Sequence, residues 1–184
     1  MRTDRLRLWS RRWQVAHAEL RGPALFFATP AYWEAEFSAL AEVDAASGRR
    51  APVREWVAKL ERAHLDALAS CAAAQAARGS AFRVLHAGCG VSDLGEVIAD
   101  SFQHAVVDNI DASASAIEAA KRDRLSARCR WRQVDALHVE SAFGSEPCFD
   151  AVVDKGLVDS LLHGGAFVAA AYVQAAARLL RPGG

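Results

Sequence analysis

A glycine-rich turn after a predicted strand is the stretch of this sequence best suited to chemistry. Gly88-Cys89-Gly90 follows the apolar run 82–87 and precedes segment 92–101, which can form a helix with Ser92 or Asp93 as its N-cap. Glycine has no Cβ, so it lets a ligand approach the backbone closely and readily adopts φ > 0. A helix N-terminus at such a turn favours nucleotide-like ligands. The turn therefore predicts a binding site, with an ordinary strand-to-helix turn as the alternative.

An aspartate follows each of the other predicted strands: Asp111, Asp135 and Asp154. Asp111 lies about 20 residues after the glycine turn, the spacing at which a carboxylate accepts hydrogen bonds from the hydroxyls of a ribose. Asp135 is then placed to meet an adenine edge. The third glycine of a dinucleotide-binding fingerprint is replaced by Asp93, which disfavours a pyrophosphate and hence a nicotinamide-dependent dehydrogenase. Ribose and adenine without pyrophosphate predict S-adenosylmethionine as the ligand.

The elements that must position these residues alternate between strand and helix from residue 82 onward. Such alternation predicts parallel βαβ units, that is, an α/β fold with a Rossmann-like, doubly wound parallel sheet. Ligands bind at the carboxyl ends of the strands in such sheets, which is where the glycine turn and the three aspartates lie. The predicted strands are 82–87, 104–110, 129–134 and 148–153, and the predicted helices are 92–101, 112–122 and 166–180.

Two helices are predicted before the first strand. The first spans 29–46, with Thr29 as its N-cap and Trp33, Phe37 and Leu40 on one face. The second spans 52–78 and contains Trp56. From the pattern alone, the aromatic residues of this N-terminal helical layer are expected to pack onto the sheet.

The composition restricts the classes of protein to which this sequence can belong. The 184 residues are 52% hydrophobic and contain 22 basic and 22 acidic side chains, so no basic field indicates a nucleic-acid partner. Four cysteines without metal-ligand spacing indicate reduced thiols, no metal site and an intracellular protein. No apolar run is long enough to span a membrane. Residues 1–28 are arginine-rich, which predicts a disordered or solvated segment in a cytoplasmic protein, or else a mitochondrial targeting segment.

The residues around the glycine turn resemble the first motif of the class I, seven-strand S-adenosylmethionine-dependent methyltransferases. The matching stretch is Val84-Leu85-His86-Ala87-Gly88-Cys89-Gly90-Val91-Ser92-Asp93-Leu94. Asn109-Ile110-Asp111-Ala112-Ser113 resembles the next motif, and Val134-Asp135-Ala136-Leu137 resembles the adenine-binding one. The resemblance implies four strands in the order 3-2-1-4 within a methyltransferase domain over residues 29–184. It also implies a set of cofactor-binding residues: Gly88, Cys89, Gly90, Asp111, Ala112, Asp135 and Ala136.

Segment 148–162 is similar to the F-D-x-V-x-(D/E)-K-G-T-L-D-A-L signature of a subgroup that methylates lysine in elongation factor one-alpha and citrate synthase. Members of this subgroup also carry a Y-W-x-x-(R/F)-(Y/F) element, here residues 32–37, and an acidic-Trp element, here Glu55-Trp56. The resemblance implies that Trp33, Phe37 and Trp56 close over the cofactor and that Lys155 contacts it. Aromatic faces attract a sulfonium cation.

The resemblance further implies a protein substrate, with a lysine or an N-terminal amine as the methyl acceptor. Asp154 is the nearest candidate to assist removal of the amine proton. Val91 and Leu157 depart from the pattern of the subgroup, which usually has asparagine and threonine there. These departures bear on the substrate rather than on the cofactor.

The end of the sequence, Leu179-Leu180-Arg181-Pro182-Gly183-Gly184, resembles the turn that leads into a fifth strand of this fold. A sheet that stops after four strands leaves an apolar edge unpaired. The sequence is therefore expected to be a C-terminally truncated methyltransferase domain. The alternative to an active enzyme is a non-catalytic or partial fragment that binds the cofactor or a partner protein.

Overall fold

Four parallel strands form one sheet in the order β3-β2-β1-β4. The computed structural model describes residues 27–47, 62–124 and 126–183. The strands are β1 (Phe82–Ala87), β2 (Ala105–Asp111), β3 (Cys129–Gln133) and β4 (Ala151–Asp154). The helices are α1 (Pro30–Ser47), α2 (Arg62–Ala77), α3 (Leu94–Ser101), α4 (Ala114–Asp123), α5 (Val139–Phe143), α6 (Leu157–Leu162) and α7 (Ala166–Arg178). This arrangement confirms the predicted α/β fold and strand order.

The fourth strand is shorter than predicted and begins three residues later. Only Ala151–Asp154 pairs with β1 as a continuous strand, in a register that places Ala87 beside Asp154. Cys148 and Phe149 bond to the segment after α7 instead: their amides donate to Leu179 O, and Phe149 forms an isolated bridge with Leu180. The prediction of a strand over 148–153 was therefore wrong at its start, because an apolar run does not show which backbone it pairs with.

Apolar side chains on the two faces of the sheet form two cores. Val84, Val107 and Trp131 point to the face covered by α2, α3 and α4. Leu85 and Ile110 point to the opposite face, where α5, α6 and α7 pack. Strands buried on both faces are typical of a parallel sheet. The two cores fix the carboxyl ends of the strands relative to one another, and the candidate site lies there.

Helix α1 packs on α4 and not on the sheet, which corrects the expectation for the N-terminal helical layer. Phe37 is buried against Val91, Ala116 and Ala119, and Trp33 and Leu40 pack against the same cluster. The predicted apolar face of the helix is therefore present, but its partner is another helix. Segment 1–26, residues 52–61 of the predicted second helix, and Trp56 lie outside the described residues.

Helix boundaries follow local hydrogen bonds. Helix α4 begins at Ala114 because the Ser113 hydroxyl accepts a hydrogen bond from the amide of Ala116, as an N-cap does. Helices α5 and α6, and the 3₁₀ turn Ala136–His138, were not predicted. These elements are too short to show a helical period in the sequence.

The described part of the chain contains no helix long and apolar enough to cross a membrane. It also contains no group of three or more His, Cys, Asp or Glu side chains placed to hold a metal ion. All four cysteines are free thiols, and Cys89 and Cys129 are buried.

Candidate functional site

A cleft opens at the carboxyl ends of the four strands and is roofed by the N-terminal part of α1. Its empty space is about 900 Å³, part of which is open to solvent. Its walls come from five places in the sequence: the start of α1, the glycine turn, the end of β2, the segment after β3, and the segment after β4. The residues lining it are Phe27, Ala28, Thr29, Pro30, Trp33, Phe37, Gly88, Gly90, Asp111, Ala112, Val134, Asp135, Ala136, Leu137, Lys155, Gly156, Leu157, Ser160 and Leu161.

The glycine turn needs glycine for two reasons. Gly88 and Gly90 have φ values of +63° and +48°, which side chains rarely adopt. A Cβ at Gly88 would lie 2.8 Å from Leu157 Cβ, and one at Gly90 would lie 2.9 Å from Phe37 Cζ. The turn is therefore packed between α1 and α6 with no room for a side chain. Between the two glycines, the Cys89 side chain points into the core and is 1% exposed, so it does not line the cleft.

Asp111 is the buried carboxylate of the site. Its Oδ2 accepts a hydrogen bond from the Gly90 amide at 2.8 Å, and its Oδ1 accepts one from the Ser113 amide at 2.9 Å. Burial raises the pKa of Asp111, and these two hydrogen bonds partly offset that effect. A carboxylate has about four acceptor positions, so Asp111 retains capacity for two further donors. That capacity fits the two hydroxyls of a ribose.

The segment after β3 forms the next wall of the cleft. The Asp135 carboxylate accepts a hydrogen bond from the Leu137 amide at 3.0 Å, which caps the 3₁₀ turn that follows. Val134, Ala136 and Leu137 line the cleft beside it, and Leu137 is 38% exposed. An apolar wall next to a carboxylate suits a flat aromatic base, because the base can stack on the apolar side chains while its exocyclic amine donates. Val134 and Leu137 belong to the stretch that resembles the adenine-binding motif, but they were not among the predicted cofactor-binding residues.

Aromatic rings form the roof of the cleft. The ring centroids of Trp33 and Phe37 are 6.1 Å apart in a stacked arrangement. The Trp33 indole donates to Phe27 O at 2.8 Å, which fixes the chain entering α1. The centroid of the Phe27 ring, which lines the cleft, lies 5.1 Å from that of the His163 ring. Sequence analysis missed Phe27, because nothing in its neighbours indicates that the chain folds back here.

Lys155 and Asp154 differ in their placement. The Lys155 side chain lines the cleft, donates to Ser92 Oγ at 3.3 Å, and has a pKa lowered by burial. The Asp154 carboxylate instead binds the N-terminus of α6, where its Oδ1 accepts from the amides of Gly156 and Leu157 at 3.1 and 3.0 Å. Asp154 is absent from the described residues that line the cleft. The structure therefore places Asp154 at the N-terminus of α6 and outside the lining of the cleft.

Most of the predicted cofactor residues meet in this one cleft. Nine of them line it: Trp33, Phe37, Gly88, Gly90, Asp111, Ala112, Asp135, Ala136 and Lys155. Cys89 is behind the turn, and Trp56 lies outside the described residues. Contact of each residue with a bound cofactor stays a prediction.

A buried histidine stands next to the glycine turn on β1. His86 Nδ1 lies 2.9 Å from Asn109 Oδ1, and its Nε2 is buried without a hydrogen-bond partner. The Asn109 amide nitrogen donates to Arg130 O at 3.3 Å, so its oxygen faces the histidine as an acceptor. Burial lowers the pKa of His86 to about 4, with the nearby charge of Arg124 contributing. His86 is therefore neutral in the folded protein at physiological pH.

This histidine predicts a loss of stability in mild acid. The pKa of His86 falls from 6.5 in the unfolded chain to about 4 in the fold, so between these pH values only the unfolded chain binds the proton. The free energy of unfolding should then drop by about 3 kcal/mol between neutral pH and pH 4 on account of His86 alone. Urea denaturation of wild type and His86→Gln across this range measures the difference. The exposed control His104→Gln should keep the wild-type slope; an unchanged slope in His86→Gln would contradict the prediction.

Comparisons with known proteins show which family this chain is similar to. Residues 85–184, more than half of the chain, match the family model described as a methyltransferase domain. No curated protein sequence matches significantly. Among solved structures, the sugar N-methyltransferase KedS8 from Streptoalloteichus sp. ATCC 53650 is 25% identical over 68% of this chain and 47% of its own, with a TM-score of 0.49. A TehB-like SAM-dependent methyltransferase from Corynebacterium glutamicum is 24% identical over 67% of this chain and 71% of its own, with a TM-score of 0.46.

The [4+2]-cyclase SpnF shares the fold at a TM-score of 0.50, with 16% identity over 81% of this chain and 56% of its own. The chain spans about half the length of several of these matched structures, such as 47% of KedS8.

Proposed function

The chain belongs to the family of methyltransferase domains, and we propose that it transfers the methyl group of S-adenosylmethionine to an amine. S-adenosylmethionine, the cofactor of this enzyme class, supplies a methyl group bound to a positively charged sulfur. The observation that carries the proposal is the meeting of the glycine turn, the Asp111 carboxylate and the Trp33–Phe37 pair in one cleft. These features come from separate parts of the sequence.

The residues of the cleft fit the cofactor by chemistry and by space. Asp111 has acceptor capacity beyond its two backbone hydrogen bonds, which suits ribose hydroxyls. Gly88 and Gly90 present backbone without side chains, and the lining beside Asp135 is apolar. The rings of Trp33 and Phe37 face the same space, where they can stabilise a positive charge.

Methyl transfer requires alignment more than it requires a reactive side chain. An acceptor nitrogen must lie in line with the bond that breaks, and holding it there supplies much of the rate acceleration. The nitrogen must also be neutral, so its proton has to leave before or during the reaction. Asp154 is held by the amides of α6 and does not line the cleft, so we assign the proton to solvent at the cleft mouth.

A protein lysine or an N-terminal amine is the acceptor that we propose. The support is the resemblance of Lys155-Gly156-Leu157-Val158-Asp159 to the signature of the protein lysine methyltransferases. In the structure this segment runs from β4 into α6, and Lys155, Gly156 and Leu157 line the cleft. The segment that carries the resemblance therefore also contributes to the proposed site.

The second proposal is a domain that binds the cofactor or a partner without catalysis. Its basis is that this fold does not by itself determine the function of a domain, as the likeness to the [4+2]-cyclase SpnF illustrates.

Calorimetric titration with S-adenosylhomocysteine, with NADH as control, tests the cofactor site. Binding of S-adenosylhomocysteine alone is expected, and its absence in a folded chain would overturn the proposal. Labelled S-adenosylmethionine is then offered with a lysine-containing protein mixture, the same mixture with its amines acetylated, and a pool of small amines. Label in the untreated proteins only is the expected result. Label in the small amines would overturn the acceptor class, and cofactor binding without transfer would favour the second proposal.

A further inference from the structure

Glu34, on the roof helix α1, binds the N-terminus of α4 through both carboxylate oxygens. Oε2 accepts a hydrogen bond from Ser113 Oγ at 2.7 Å, and Oε1 accepts one from Ser115 Oγ at 2.6 Å. The Ser115 amide adds a third contact to Oε2 at 3.3 Å. A carboxylate at a helix N-terminus is stabilised by the helix dipole as well as by these donors. One side chain of α1 is therefore held by three donors of α4.

Ser113 connects Glu34 to Asp111, the carboxylate proposed to bind the ribose. The Ser113 hydroxyl donates to Glu34, while the Ser113 amide donates to Asp111 Oδ1 at 2.9 Å. Glu34 and Asp111 thus hold opposite sides of one residue. Any movement of α1 that pulls Glu34 away removes a partner from the turn that orients Asp111.

Glu34 also stands between the two roof residues in the sequence of α1. Trp33 precedes it in α1, and Phe37 follows one helical turn later, with its ring tip close to the position of Gly90. The contacts of Glu34 therefore set the height and the rotation of the helix that carries both rings. Burial alone would raise the pKa of Glu34, but the hydrogen bonds from Ser115 and Ser113 lower it, so the carboxylate is ionised at neutral pH.

We propose that Glu34 is a positioning residue for the cofactor, which fixes the Trp33–Phe37 roof over the cleft by binding Ser113 and Ser115. The proposal rests on the cofactor site proposed above. It assigns a role to a residue that the sequence motifs did not single out. A plain stabilising contact between two helices is the competing explanation, so the test has to separate positioning from stability.

The first experiment measures S-adenosylhomocysteine binding by the full chain. Glu34→Ala is expected to weaken binding about tenfold, since the roof loses its charge-assisted hydrogen bonds, and Glu34→Gln, which keeps one acceptor oxygen, is expected to lose less. Ile117→Val is the matched control, because Ile117 is buried in α4 on the side facing the sheet and its truncation lowers stability without touching Glu34. That control is expected to bind like wild type. Binding by Glu34→Ala within about twofold of wild type would overturn the proposal.

A double-substitution cycle separates positioning from stability. If Glu34 acts through the roof, the variant Glu34→Ala/Phe37→Ala should bind S-adenosylhomocysteine no more than about twofold more weakly than Phe37→Ala alone. Losses that multiply would show that Glu34 acts independently of the ring, and would overturn the proposal.

Hydrogen exchange of the cofactor-free chain distinguishes failure of this inference from failure of the proposed function. Amides of Pro30–Ser47 should exchange about tenfold faster in Glu34→Ala than in wild type, while those of β1 stay unchanged. Unchanged exchange in α1 overturns the positioning role even if the cofactor binds. If α1 exchanges faster in Glu34→Ala but the wild type binds no S-adenosylhomocysteine, the contact between the two helices is supported and its role for the cofactor is not. That result counts against the proposed function.

Discussion

Asp111→Ala should weaken the binding of S-adenosylhomocysteine about 100-fold, which corresponds to about 2.7 kcal/mol. Hydrogen bonds to a charged group contribute about 1.5–3 kcal/mol each, and Asp111 has capacity for two further donors. The substitution also leaves the Gly90 amide without its acceptor, so the glycine turn loses a constraint next to the ligand.

Calorimetric titration at neutral pH measures this effect, and Glu118→Ala is the control. Glu118 is an exposed acid on α4, so its removal changes the net charge by the same amount at a distance from the cleft. Wild-type affinity is expected for the control. Equal affinity of Asp111→Ala and wild type would show that the carboxylate serves only the turn, and would remove the ribose assignment.

Gly90→Ala should abolish measurable binding of S-adenosylhomocysteine in a chain that still folds. At φ +48° the new Cβ would lie 2.9 Å from Phe37 Cζ, so this ring, which lines the cleft, has to shift. The left-handed backbone conformation itself costs about 1–2 kcal/mol for a residue with a side chain. We therefore expect a modest loss of stability together with a complete loss of binding.

Gly79→Ala separates these two effects. Gly79 has φ +66°, but a Cβ there would meet nothing within 4 Å, and the residue lies at the opposite end of β1. The control should show a similar loss of stability in urea denaturation and wild-type affinity for the ligand. Wild-type affinity in Gly90→Ala would mean that the Phe37 ring can shift without an effect on ligand binding. That result would contradict the assignment of Phe37 to the roof of the binding cleft.

Much of the sheet and of the site is predictable because each depends on short stretches of sequence. The largely apolar strands β1 and β2 and the alternating strand β3 are bounded by turn residues, and the glycine turn and Asp111 lie directly at strand ends. The order of strands followed from resemblance to the methyltransferase fold, and the structure confirms it. The start of β4 was wrong because its neighbours include the segment near Leu179, which is distant in sequence.

Contacts between distant segments account for the features that the sequence did not reveal. The periodicity of α1 shows that it has an apolar face, but not that this face packs on α4. Nothing in the sequence around Glu34 indicates its partners, because only the fold brings Ser113 and Ser115 close to it. Phe27 lines the cleft from a segment without a recognisable pattern. Such residues become identifiable only when the tertiary arrangement is known.

The carboxylate at the start of α4 also bears on which nucleotides the cleft can accept. A helix N-terminus beside a ribose is where a protein can receive a phosphate on that ribose. Here Glu34 already accepts hydrogen bonds from the N-terminus of α4, and Asp111 supplies a second negative charge on the other side of Ser113. A phosphate on the ribose would be repelled by two carboxylates, and the hydrogen-bond donors that could bind it already bind these carboxylates. Uncharged hydroxyls can instead donate to the carboxylates. If the cleft binds the cofactor as proposed, we expect the contact between Glu34 and the start of α4 to select against nucleotides that carry a phosphate on this ribose.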